Sequence, residues 1–295
     1  MLINQTYERG NLRELASLIS HAAFKKLSTS TNQSTYIKRM KKYIGWKMDY
    51  LDRPTQLSDL IAYSYNILEQ HYRHEYIYKN KLLTDFVLSR YVMDDTVLLN
   101  EFKIGQSIAD SVLINGSDKV FEIKTELDTS NRLQGQLQDY YKAFTEVYVF
   151  THFTLAEKYV NILPTYVGLL LYNMDGSVSE YRSATKRTDD LDSTFIMASL
   201  RKSEYTNLVN HLSGFIPEAT PAFYYRTCLE VLKQFPVDHV QQAYCTILKQ
   251  RIDVQTDIYL TEGALPTFMN FSFYQSKFNK KSYLTMINNL SKNIL

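Results

Sequence analysis

Asp110, Glu122 and Lys124 are the residues of this chain whose types and spacing could support metal-assisted chemistry. They lie in two β-rich runs, Ser107–Ile114 and Lys119–Thr125, separated by the turn signal Asn115-Gly116-Ser117. With a turn centred near Gly116-Ser117, Ile114 pairs with about Lys119, and Asp110 falls opposite Glu122 or Ile123. Directly opposed residues of an antiparallel pair share a face. The carboxylates of Asp110 and Glu122 should then stand side by side. Alternation adds Lys124 to the face of Glu122 and sends Phe121 and Ile123 to the other. Two carboxylates on otherwise apolar strands repel each other, and desolvation penalises both charges. A divalent cation removes that conflict, and Mg²⁺ takes carboxylate oxygens together with waters and substrate phosphate. A lysine beside them meets developing negative charge. Such a set suits phosphodiester hydrolysis. The plain alternative is an exposed polar face with a cross-strand ion pair.

These residues need elements to hold them, and the pattern divides the chain into three regions. Residues 1–78 read as helical, with apolar residues recurring at three and four (Leu12, Leu15, Ala16, Ile19; Leu57, Leu60, Ile61, Tyr65, Leu68) around a polar stretch at Ser28–Ser34. Residues 79–205 change period. A helix over Lys81–Val92 leads into strands Val97–Ile104, Ser107–Ile114 and Lys119–Thr125. A helix over Asp128–Phe144, a strand at Val147–Phe150, a helix over Thr154–Leu163 and strands Tyr166–Tyr172 and Val178–Tyr181 around Asp175-Gly176 complete it. Residues 206–295 read as helical again. The order predicts an α/β fold: a small mixed β-sheet flanked by helices, with helical regions at both ends.

The run Ile108-Ala109-Asp110-Ser111-Val112-Leu113-Ile114 followed by Val120-Phe121-Glu122-Ile123-Lys124 resembles the D-x(n)-E-x-K signature of the PD-(D/E)XK nuclease superfamily. The continuation through Asp128-Thr129, Arg132-Leu133, Gln136 and Tyr140 is similar to the string E-I-K-S-D-x-D-T-x-x-R-L-x-x-Q-x-x-x-Y of a bacterial branch of that superfamily. Thr125-Glu126 replaces the usual Ser-Asp, and Ala109 stands before Asp110 where a proline is common. The resemblance covers roughly residues 82–205 and implies a restriction-endonuclease-like core. It also implies that Asp110, Glu122 and the Ile123 carbonyl ligate Mg²⁺ or Mn²⁺, and that Lys124 positions the attacking water or stabilises the transition state. Glu101 serves a second metal or a water in this scheme. Gln136 and Tyr140, four apart on one helix face, reach the site, and Arg132 contacts phosphate. For Arg132 an ion pair with Asp128 is the competing expectation.

A second patch lies outside that range. Lys25 to Lys47 contains Lys25, Lys26, Lys38, Arg39, Lys41, Lys42 and Lys47 with no acid, and Tyr36, Tyr43 and Trp46 are interleaved. Lys38, Arg39, Lys41 and Lys42 are its candidate phosphate contacts. Over the whole chain the formal charge is only +2, so nucleic acid is signalled by local patches and not by composition. Cys228 and Cys245 have no zinc spacing and read as packing thiols. His71 and His74 read as surface residues. No leader segment or apolar run of membrane-spanning length is evident, which predicts a cytoplasmic protein with no membrane association. The expected function is a Mg²⁺- or Mn²⁺-dependent nuclease acting on DNA, with a homodimer or a protein partner left open. The alternatives are an inactive nucleic-acid-binding module of the same fold and a protein-interaction component of a mobile-element or phage-defence system.

Overall fold

A computed structural model describes residues 7–30, 32–45, 55–92, 95–251, 265–276 and 279–294. The chain divides into two compact units, one of residues 90–252 and the other of residues 1–89 together with 253–295.

The first of these carries a six-stranded sheet in sequential order: β1 (Val97–Ile104), β2 (Ser107–Ile114), β3 (Asp118–Lys124), β4 (Glu146–His152), β5 (Gly168–Tyr172) and β6 (Val178–Arg182). β1, β2 and β3 are antiparallel neighbours, β3, β4 and β5 run parallel, and β6 returns antiparallel. The two parallel pairings require crossovers, and short helices supply them at Leu133–Tyr141 and Ala156–Ile162. One face of the sheet joins a core of Val112, Ile114, Val120, Val147, Val149, Leu169 and Leu171. Into it pack the helix Leu133–Tyr141 and the later helices Ser193–Ala198, Lys202–Ser213, Tyr224–Leu232 and Val237–Lys249, through Leu137, Ile196, Leu208, Leu232 and Tyr244 among others. The mixed α/β architecture expected from sequence is present, with the sheet embedded among helices.

The other unit is helical. It holds α1 (Arg9–Leu18), α2 (His21–Leu27), α3 (Ser34–Tyr43), α4 (Leu57–His71) and α5 (Glu75–Lys81). Its last helices are Asn270–Ser276 and Lys280–Leu290. The segment expected as one α-helix from Lys81 continues instead as a π-helical turn, Leu82–Val87. Segments before and after the sheet unit are tied together within this unit. Leu57 N donates to Lys292 O (3.0 Å), Ile294 N donates to Thr55 O (3.0 Å), and Asn289 Nδ2 donates to Leu27 O (2.6 Å) and Ser30 O (2.8 Å).

Candidate active site

The hairpin pairs Ile114 with Asp118, one residue short of the Lys119 expected. Ser111 pairs with Phe121, and the same register carried one step further sets Asp110 against Glu122. Here β2 leaves β3. In place of a backbone rung, Asp110 Oδ2 accepts a hydrogen bond from Ile123 N (2.7 Å). The departure has a local cause. On β1 the core-facing residues are Val97 and Leu99, then Phe102 and Ile104; on β2 they are Ile114 and Val112, then Ala109. The two-residue alternation skips to three on both strands at the same rung, where Glu101 faces Asp110. Glu101 has φ 52°, the one positive φ outside glycine among the described residues. That left-handed residue turns the strand pair over and frees Asp110 from the sheet's alternation.

Glu122 and Lys124 continue the face begun by Val120, so they point toward the core and under the helix Leu133–Tyr141. Glu122 is only 3% exposed. Its carboxylate is held by three donors: Lys124 Nζ (2.7 Å) and Gln136 Nε2 (2.6 Å) on Oε1, and Tyr140 Oη (2.5 Å) on Oε2. Lys124 Nζ also donates to Gln136 Oε1 (3.1 Å). The Tyr140 hydroxyl lies 3.0 Å from Ile108 O as well, but it has one proton, and the charged acceptor takes it more strongly. Burial holds the Tyr140 phenol well above its usual range, and the nearby charges of Glu122 and Asp110 push it further. One hydroxyl thus feels both carboxylates.

The helix is itself anchored to the sheet edge. Asp139 accepts from Gln106 N (3.1 Å) and Ser107 Oγ (2.8 Å) in the β1–β2 turn. Gly105, at φ +58°, makes room, because a Cβ there would meet the Phe195 ring at 2.7 Å and the Asp139 carboxylate at 3.0 Å. Sequence reasoning missed Gly105 and Asp139; a glycine ahead of a polar turn was the available signal. The helix begins at Leu133, later than the Asp128 expected. Asp128 Oδ2 accepts from Thr125 N and Thr125 Oγ1 (both 2.8 Å), closing a turn that holds the chain out of helical geometry. Arg132 is exposed at the helix start and makes no ion pair with Asp128.

Glu101 is exposed, one strand away from Asp110. Among the described residues, no three His, Cys, Asp or Glu side chains gather at metal-binding range. The oxygen donors nearest to such an arrangement are the Asp110 carboxylate, bonded to Ile123 N, and the Glu122 carboxylate, bonded to Tyr140, whose hydroxyl both charges act on. Hard oxygen ligands of this kind fit Mg²⁺ or Mn²⁺, and a carboxylate that accepts hydrogen bonds keeps lone pairs for a cation.

The basic patch belongs to the helical unit. Arg39 pairs with Glu14 (3.3 Å), Lys41 Nζ donates to Ile294 O (2.5 Å), and Lys42 lies 5.5 Å from the Tyr43 ring centroid. Lys25, Lys26, Lys38 and Lys42 are exposed. Tyr36 is a packing residue, its hydroxyl donating to Leu18 O (2.7 Å). Trp46 and Lys47 lie outside the described residues. His74, expected at the surface, instead places Nε2 2.7 Å from Ile19 O, and burial lowers its pKa.

The profile of the family described as bacteriophage P4 protein cII matches residues 69–268, which include the whole sheet and every residue of the Glu122 cluster. The chain belongs to the bacteriophage P4 protein cII family. Protein cII of Enterobacteria phage P4 is 23% identical over 184 residues, covering 61% of this chain and 68% of the phage protein. Among solved structures, the SPO1766 protein of unknown function from Silicibacter pomeroyi aligns with 41% of this chain and 82% of its own at 16% identity. Its TM-score is 0.28, too low for a structural argument. Among the described residues, no helix is long and apolar enough to cross a membrane.

Proposed function

We propose that this member of the P4 cII family is a divalent-metal-dependent nuclease of PD-(D/E)XK type, with a restriction-endonuclease-like core, that hydrolyses phosphodiester bonds in DNA. One observation carries the reading: the buried Glu122 carboxylate is bonded to Lys124, Gln136 and Tyr140, and Asp110 is bonded to the backbone N–H of the next residue, Ile123, where β2 leaves β3. Asp110, Glu122 and the Ile123 carbonyl would hold Mg²⁺ or Mn²⁺. The cation supplies charge neutralisation and Lewis acidity at the phosphate. Lys124 brings a positive charge to the same point, where it opposes charge developing on the phosphoryl oxygens. Gln136 and Tyr140 fix the Glu122 carboxylate, as outer partners of a metal ligand commonly do. Arg132, exposed at the start of the same helix, is available to a phosphate, as are Lys38 and Lys42 of the helical unit. Glu101 orients Asp110 through the backbone and adds negative charge at the rim.

The test is cleavage of single- and double-stranded DNA and RNA by purified protein, with Mg²⁺, Mn²⁺ or a chelator. Asp110→Ala and Lys124→Ala should each lose cleavage by at least 100-fold and keep nucleic-acid affinity within a few fold. Binding of nucleic acid by all three proteins with no metal-dependent cutting of any substrate would replace this reading with an inactive binding module of the same fold.

A further inference from the structure

The helix that fixes Glu122 has a second lined side. Gln136 and Tyr140 point toward Glu122, while Gln134, Gln138 and Tyr141 follow one another at helical spacing along a different stripe. Together with Asn131, Tyr166 and Arg187 they line a groove of about 780 Å³, a size typical of ligand sites. Nothing in the cleavage reading uses it.

The chemistry of the groove is unlike that of a phosphate site. Its cations are already matched: Arg187 pairs with Asp190 at 2.9 Å and Lys142 with Asp139 at 3.5 Å. What remains is a row of three neutral amides, Asn131, Gln134 and Gln138, and a flat cluster at one end. In that cluster Tyr141 and Tyr166 meet edge to face at 5.4 Å, and the Arg187 guanidinium sits 4.2 Å from the Tyr166 centroid. Arg187 Nε is buried with no hydrogen-bond acceptor among the described residues. Side-chain amides offer a donor and an acceptor together, which matches the edge of a nucleobase, adenine above all. Tyrosine and guanidinium planes are the surfaces on which unpaired bases stack.

We propose that this groove binds an unstacked nucleobase, read along its edge by Asn131, Gln134 and Gln138 and stacked against the Tyr166–Arg187 end. The base can arrive on a free nucleotide or on a single-stranded segment. Binding does not depend on the metal centre or on cleavage.

The test uses the full chain in chelator, so that no cutting occurs. Adenosine monophosphate, a short deoxyadenosine oligonucleotide and inorganic phosphate are titrated by calorimetry. The mononucleotide or the oligonucleotide should bind and phosphate should not. Gln134→Ala/Gln138→Ala, which alters two exposed positions, should weaken that binding at least 10-fold with an unchanged melting temperature. Tyr166→Ala should weaken it further. Binding of the mononucleotide identifies a free-nucleotide site, and binding of the oligonucleotide alone identifies a strand subsite. Failure of both ligands, or binding that the double substitution leaves intact, overturns the proposal. Loss of cleavage in Asp110→Ala with base binding retained would separate this groove from the metal centre.

Discussion

Both oxygens of Glu122 accept hydrogen bonds from neighbouring side chains, and that decides what single substitutions there should do. Tyr140→Phe removes one short bond to a buried carboxylate and leaves the ring's packing. A hydrogen bond to a charged group contributes about 1.5–3 kcal/mol, so the variant's unfolding free energy, measured in urea, should fall by that margin. Its affinity for Mn²⁺ should fall about 10–100-fold, as when a partner of a metal ligand is removed. Calorimetric Mn²⁺ titration checks the second effect, and an unchanged affinity would assign Tyr140 to packing alone. Much of this residue-level picture could be read in advance. Asn115-Gly116 marks the turn, and counting from it leaves Asp110 opposite Glu122 or Ile123; the choice between them needed the register, which pairs Ile114 with Asp118. The three-fold hold on Glu122 was less legible, because Gln136 and Tyr140 share a helix face whether they bind a carboxylate or merely pack.

At the scale of the element, the β1–β2 pair owes its break in alternation to Glu101. Left-handed backbone costs a residue with a Cβ about 1–2 kcal/mol relative to glycine. Glu101→Gly should therefore be at least as stable as the wild type, and Glu101→Val should be less stable than Glu101→Gly by about that amount. Urea unfolding measures the difference; equal stabilities would mean that the turn-over is imposed from elsewhere. No sequence pattern announces a left-handed glutamate inside a strand, so this break was invisible until the register was known.

A different element holds a buried acid. Asp118, at the start of β3, accepts from Thr145 N and from Thr145 Oγ1 (2.7 Å). Burial pushes its pKa up from 3.8 to about 6, against the lowering effect of those bonds. A carboxyl group that holds its proton more tightly when folded stabilises the fold below its unfolded pKa. That contribution is lost as pH rises through the folded value. Asp118 should thus cost about 2 kcal/mol between pH 4 and pH 7. The stability difference between wild type and Asp118→Asn, followed by urea titration over that range, should shift in favour of the variant as pH rises. A pH-independent difference would contradict the assignment.

For the whole molecule, a formal charge of +2 conceals a division. The helical unit contains 17 Lys and Arg against 11 Asp and Glu, and the sheet unit 16 against 20. The sheet unit repels a polyanion except where a cation intervenes, so the helical unit should provide the salt-sensitive part of nucleic-acid binding. Lys38→Ala/Lys42→Ala should reduce the slope of log affinity against log salt by about 1–2, measured by fluorescence anisotropy, with little effect on sequence preference. An unchanged slope would remove α3 from the interface. The helices were legible from their apolar spacing. Which helices join which unit was not, since an apolar stripe demands a partner without naming it.

The ties between segments before and after the sheet unit carry a consequence for synthesis. The sheet unit is one continuous stretch whose strands are added in spatial order, so it can close as soon as residue 252 has left the ribosome. The helical unit cannot. Leu15, Phe24, Leu60 and Ile61, fully buried in the finished protein, belong to helices that precede the sheet unit, yet their unit is completed by Phe271, Phe273, Met286 and Asn289, which follow it. The helices that precede the sheet unit must wait, apolar faces uncovered, while the sheet unit forms behind them. A nascent chain arrested near residue 252 should already protect the sheet from protease and leave α1 to α4 open to cutting and to chaperones.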